Sequence, residues 1–332
     1  MPAPDDPRGL HVSQAACTIA MAPNSKWIEA ISPDETLSDA ARRVVKWRLL
    51  RVRDGLRDAV RGKHSDAEVI HQLRVSTRRA AATMDSFDEL LPGKRSAWMR
   101  TRLKRVRKAT NDARDFDVLA ERLTARAESD ASGWSTLLER VSALRREAQA
   151  PLVEICEHLE RGHFKRRVRR LARRIRWSDD GGPEPTFADS AVEKVLAAAE
   201  PLFATPTSAL ADVGQLHAFR ILAKRLRYAM EIFVMAFEPR FRDELYPLVE
   251  SLQERLGDIN DHATAVERLD AWLLEWDDAE LRGPLTELLE EERLALRNCR
   301  AQFDDWWTAE RSADWRRRFD EVLAHPQVER VA

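Results

Sequence analysis

Cysteine, glycine and tyrosine are scarce in this sequence of 332 residues, with three, eleven and two copies. Cys17, Cys156 and Cys299 are scattered and show no CxxC spacing. That excludes a disulfide scaffold and fits unpaired thiols in a reducing compartment. So little glycine suits amphipathic helices better than sheets, and no alternation of apolar and polar residues runs long enough for a strand. No apolar run approaches the ~20 residues of a membrane span. The mildly apolar stretch from Ala15 to Ala22 lacks the basic leader of a signal peptide. A cytoplasmic protein is the expectation. Also missing are a P-loop, an HExxH helix, a Cys/His nucleophile spacing and the carboxylate spacing of a two-metal phosphohydrolase. The sequence therefore reads as a non-catalytic protein with no cofactor and no metal.

What it has is charge, at 33% of residues. The net charge is only -1, yet the signs are segregated. Residues 94–108 hold eight Lys or Arg and no acid, and residues 161–176 hold nine and no acid. Acids gather elsewhere, as in Asp277-Asp278 and Glu290-Glu291-Glu292. Local fields of one sign point to an anionic partner. Arg far outnumbers Lys in the basic stretches, and guanidinium grips phosphate oxygens in pairs.

One helix occurs twice. In the second copy Leu216, Phe219, Ala223, Leu226, Met230 and Phe233 alternate three and four residues apart and form one stripe. His217, Arg220, Lys224 and Arg227 form a second stripe, a ladder of cations about 15 Å long. The first copy lies 146 residues earlier: His71 matches His217, Arg74 matches Arg220, Arg78 matches Lys224 and Arg79 matches Arg225. The offset continues through Asp112, Asp115 and Glu121-Arg122-Leu123, which match Asp258, Asp261 and Glu267-Arg268-Leu269. Such constancy indicates a duplicated unit.

The expected plan is all-α, two four-helix-bundle-like units with a basic central groove. A flexible tail covers 1–33, the first unit 34–177, a Gly/Pro linker 178–186, the second unit 187–325 and a short tail 326–332. Helices are expected at about 36–62, from a capping box at Ser65 to Leu91, 94–110, beyond a turn at Asn111-Asp112, 135–161 and a short basic one after it. The second unit repeats the plan at about 187–203, 213–237, 241–256 ending near Gly257, 261–276, 280–308 and 313–324.

Four motifs in order carry a resemblance. His71-Gln-Leu-Arg74-Val-x-x-Arg78-Arg79 and His217-x-x-Arg220-x-x-x-Lys224-Arg225-Leu-Arg227-Tyr228 resemble the paired signatures of the conserved-histidine α-helical, or CHAD, family. Arg114-Asp115-Phe116-Asp117-Val118 and Leu256-Gly257-Asp258-Ile259-Asn260-Asp261 resemble its other two landmarks. The resemblance covers about 36–325 and implies two bundles about a pseudo-twofold axis, with a basic channel that binds inorganic polyphosphate. With no ExExK motif, a stand-alone member is expected, cytoplasmic and associated with polyphosphate granules. The implied polyphosphate-binding residues are His71, Arg74, Arg78, Arg79, Arg100, Lys104, Arg107, Lys108 and Arg114, then His217, Arg220, Lys224, Arg225, Arg227 and Tyr228. Two positions depart from the repeat: Ala81 stands opposite Arg227, and Asn111 opposite Gly257.

Other readings stand beside this one. A nucleic acid is the competing polyanion, although single-strand sites usually add aromatic platforms and only Tyr228 lies near this ladder. A metal-dependent polyphosphate-processing enzyme is the third alternative. His71 and His217 are either ligand contacts or core histidines. Asp115 and Asp261 suit orienting neighbouring Arg better than acid catalysis. Glu231 suits an intrahelical pair with Arg227. The basic helix within 161–176 is either a nucleic-acid surface or an extra wall of the same site, and Trp306-Trp307 either packs the last helix or offers a partner site.

Overall fold

A computed structural model describes residues 25–61, 67–128, 133–178 and 182–324. Among them the chain is helical throughout, with a lone bridge between Thr36 and Thr186 in place of any strand. The helices are α1 (Leu37–Val60), α2 (Ala67–Ser86), α3 (Gly93–Ala127), α4 (Trp134–Arg161), α5 (Phe164–Ala172), α6 (Phe187–Phe203), α7 (Val213–Phe233), α8 (Tyr246–Glu275), α9 (Ala279–Trp306) and α10 (Ala309–Leu323). Their starts are written in the sequence. Thr36 caps Asp39, Thr186 forms a full capping box with Asp189, and Asp212 accepts from the Gln215 N–H at the head of α7. The box expected at Ser65 lies outside the described residues.

Two expected breaks are absent. α3 runs unbroken through Asn111 and Asp112, and α8 through Gly257. Asn and Asp cost a helix only a fraction of a kcal/mol, and a single glycine about 1 kcal/mol. Packing along helices of 35 residues in α3 and 30 residues in α8 outweighs these costs. Thr110 helps, because its buried hydroxyl donates to the Val106 and Arg107 carbonyls and stays satisfied inside the helix. A Cβ at Gly257 would meet nothing within 4 Å. Gly257→Ala is therefore expected to raise stability by roughly 0.5–1 kcal/mol, read as a higher midpoint in urea.

The helices form antiparallel neighbours: α1 with α2, α2 with α3, α3 with α4, then α6 with α7, α7 with α8, and α8 with α9. The main core is shared by both halves, from Leu49, Leu73 and Met84 to Phe187, Leu226 and Phe233. The far ends of α3, α4, α8 and α9 close a second core around Leu123, Leu137, Trp272 and Leu285. Trp307 is buried against Phe219 and Trp315, with Trp306 beside it, so this pair packs the interior.

The tail and linker boundaries move. Trp27, Ile28 and Ile31 are buried in the core, and the Ile28 N–H donates to the Glu231 carbonyl, so residues 25–33 are part of the packed body. The linker's end is stitched to the start of α1. The Leu37 N–H donates to the Pro185 carbonyl at 3.1 Å, and the Phe187 N–H to the Glu35 carbonyl at 2.8 Å. Residues 1–24 and the tail after 325 lie outside the described residues.

Candidate functional site

α2 and α7 pack side by side. α7 buries Leu216, Phe219, Ala223, Leu226, Met230 and Phe233, and α2 buries Ile70, Leu73, Thr77, Ala80 and Met84. With those stripes committed to the core, the neighbouring faces carry the cations. Lys224 lies within electrostatic reach of Arg220 on its own helix and of Arg78 and Arg74 on α2. Arg220 in turn feels Arg78. The two cation rows thus meet.

Burial, then these like charges, push the Lys224 ammonium down to about 7. Arg74 and Arg220 are lowered from their ordinary value, chiefly by burial, with Arg78 adding to both. His71 is half-buried, and burial followed by the Arg114 charge holds its imidazole below the usual range. His217 is exposed at the start of α7. Neither histidine is a core residue.

Carboxylates orient the cluster loosely. Arg74 stands 3.6 Å from Asp115 and donates to the Asn111 carbonyl, and Arg220 stands 3.7 Å from Asp261. Arg268 of α8 donates to Asp115 at 3.1 Å, linking the two halves. Both aspartates stand beside arginines of the two rows. The Nε atoms of Arg220 and Arg227 are buried and donate to no atom among the described residues. Such donors cost free energy until an acceptor arrives.

Several expected site residues go elsewhere. Arg79 reaches across to α7, where its Nε lies 2.7 Å from a Glu231 carboxylate oxygen and its Nη2 lies 3.3 Å from the other. Glu231 is 1% exposed and also accepts from the Tyr246 hydroxyl at 3.0 Å. Its intrahelical partner Arg227 stands farther off, at 4.0 Å, over the buried Tyr228 ring. Arg100 is taken by Asp85, Asp88 and the Met84 carbonyl at the end of α2. Lys108, about 80° round α3 from Arg100, lines a cleft against α4 with Arg102 and Arg105. Lys104 and Arg107 are exposed on the α3 side that carries Asn111 and Asp115. Arg225 is exposed, one residue round α7 from Lys224.

Sequence reasoning missed Arg48. This buried guanidinium of α1 donates to the Lys26 carbonyl at 2.8 Å and feels Arg79 and Glu231. A signal was present, since Arg48 interrupts the apolar stripe of Val45, Leu49 and Val52. Among the described residues, no three His, Cys, Asp or Glu side chains gather to hold a metal ion. Nor is any helix there long and apolar enough to cross a membrane.

The sequence matches the CHAD domain family over residues 48–270, the span that carries both cation rows and both aspartates. The chain belongs to the CHAD family. Solved structures agree on the fold. The CHAD domain from the plant Ricinus communis is 24% identical over 93% of this chain and 99% of its own, with a TM-score of 0.58. PptA from Streptomyces chartreusis is 20% identical over 83% and 99%, with a TM-score of 0.57. No curated protein sequence matches. The cations of α2 and α7 that meet all lie within the matched span.

Proposed function

We propose that this CHAD protein binds inorganic polyphosphate in a basic groove between α2 and α7, without catalysing a reaction on it. The observation that carries the reading is the meeting of Arg74, Arg78, Arg220 and Lys224, half-buried and only loosely matched by Asp115 and Asp261. Like charges held together out of water are unfavourable unless an anion joins them. Inorganic polyphosphate carries charge on every unit and offers no base to stack, which suits a cation row lacking exposed aromatics. The 146-residue offset assigns one row to each of two duplicated units facing across the groove. His71 and His217 then stand at the heads of the rows, Lys104, Arg107 and Arg114 extend one wall, and Arg79 and Arg227 hold the floor through Glu231.

Titration with polyphosphate of defined length tests this. Affinity is expected to fall steeply with salt, and Arg220→Ala or Lys224→Ala to weaken binding. By analogy with the nucleic-acid backbone, each lost phosphate contact flattens the log–log salt slope by about 0.7–0.9. Leu226→Ala is the control. It empties core volume at a cost of about 2–5 kcal/mol and leaves the slope of the folded protein unchanged. Parental binding by both cation variants at every salt concentration would remove the groove. Phosphate release from the chain, with or without Mg²⁺, would overturn the non-catalytic reading.

A further inference from the structure

The basic helix α5 packs chiefly on α1 and α4. Its apolar face, Phe164, Val168, Leu171 and Ala172, is buried. Its other face is exposed and carries Lys165, Arg166, Arg167, Arg169 and Arg170, with Arg173 and Arg174 just beyond. Two clefts open along the α1–α5 seam and share Arg169. One, of about 670 Å³, is lined by Arg42, Arg43, Lys46, Trp47, Leu50, Arg169, Ala172 and Arg173. The other, of about 520 Å³, is lined by Arg53, Arg57, Lys165, Arg166 and Arg169 with His163, Phe164, Leu159 and Glu160. Some of these cations are spent inside the protein. Arg42 pairs with Asp39, Arg43 with Glu35, Arg53 with Asp54 and Arg57 with Glu160. Lys46, Lys165, Arg166, Arg169 and Arg173 have no ion pair among the described residues.

The chemistry here differs from that between α2 and α7. The unpaired cations are exposed, and they rim an apolar floor of half-buried Trp47 and Leu50 and buried Ala172, where the Arg48 guanidinium already lies 4.6 Å from the Trp47 ring. Inorganic polyphosphate has nothing to place on such a floor. A ligand that repeats phosphate and a flat apolar ring does. Because its apolar side is committed to the core, α5 has no face to insert into a lipid bilayer. One cleft alone would suit a mononucleotide. Two clefts joined at Arg169, with Lys165, Arg169 and Arg173 spaced four residues apart and thus about 6 Å along the helix, suit a chain. We propose that the α1–α5 seam is a second polyanion site, one that takes single-stranded nucleic acid, with phosphates on the α5 cations and a base against Trp47. Basic grooves with aromatic platforms bind single strands in this way.

The test uses the full chain and a fluorescently labelled 20-nucleotide oligouridylate. Lys165→Ala, Arg169→Ala and Arg173→Ala together are expected to weaken oligonucleotide binding at least tenfold. They should flatten its salt slope by about 0.7 per cation and leave polyphosphate affinity within about twofold. Arg220→Ala with Lys224→Ala is expected to do the reverse, which separates failure of this site from failure of the α2–α7 site. Trp47→Leu keeps the floor apolar and should weaken the oligonucleotide but not an abasic sugar–phosphate strand of equal length. Circular dichroism checks that each variant is folded. If a variant unfolds, the unaltered protein still decides, because equal affinity for the oligonucleotide and the abasic strand overturns the base contact. Equal loss of polyphosphate and oligonucleotide in the triple variant overturns a distinct site. So does binding to phosphatidylglycerol vesicles without binding to the oligonucleotide.

Discussion

Glu231→Ala is expected to destabilise the fold by about 3–5 kcal/mol. The carboxylate is buried at 1% exposure between two helices of different halves. It takes both Arg79 donors, accepts from the Tyr246 hydroxyl and faces Arg227. Burial, then the Glu231 charge, push the Tyr246 phenol well above its ordinary value, so it stays a donor. Removing the carboxylate leaves Arg79 and Arg227 largely buried without an acceptor, next to the already buried Arg48. The sequence offset of 146 residues supplies the control. Asp85 occupies the matching position 146 residues earlier, but it is exposed and pairs with Arg100 at the surface. Asp85→Ala should cost no more than about 1 kcal/mol. Urea unfolding of both variants separates the cases. If their midpoints shift equally, the Glu231 cluster does not fasten α7 to α2.

That asymmetry also shows what could be read in advance. Helix order was legible, because strong apolar stripes run through the helices and caps such as Thr36, Thr186 and Asp212 mark three of the starts. The rows of cations were legible for the same reason, being the residue beside each stripe. Continuity through Asn111-Asp112 and Gly257 was not, since the local cost of these residues is small and the packing that outweighs it comes from distant partners. Pairing was hidden as well. Spacing puts Arg78 on the row of Arg74 and Arg79 one residue round the helix, but it does not say that Arg79 is tied to Glu231 while Arg78 stands among Arg74, Arg220 and Lys224. Which cation finds a carboxylate depends on how α2 crosses α7, and a sequence periodicity carries no crossing angle. The core itself overrode the division into units: Trp27 and Ile28, expected in a tail, fill a core to which both halves contribute.

Polyphosphate affinity is expected to rise as pH falls from about 9 to 6.5, by up to about tenfold per unit for one coupled proton. Lys224 is the reason. In the free protein, burial and the neighbouring Arg220, Arg78 and Arg74 hold its ammonium at about 7, against an ordinary 10.5. A bound polyanion favours the charged form and raises that value. Between the free and bound values, binding takes up a proton, so affinity drops as pH climbs through this window. His71, lowered first by burial and then by Arg114, adds to the same trend toward lower pH. Folding follows the opposite sign. The unfolded chain holds the Lys224 proton up to about 10.5, so the free protein gains stability from this group as pH rises from about 7 toward that value and loses it as pH falls. Polyphosphate should therefore raise the melting temperature more at pH 7 than at pH 9. Lys224→Arg supplies a charge that does not titrate here, and its affinity should be flatter between pH 7 and 9 and higher than the parent's at pH 9. Lys224→Met should lose more affinity at pH 6.5 than at pH 9. Isothermal titration in buffers of differing ionisation enthalpy counts the proton directly, and no uptake at pH 8 would show that Lys224 does not meet the polyanion.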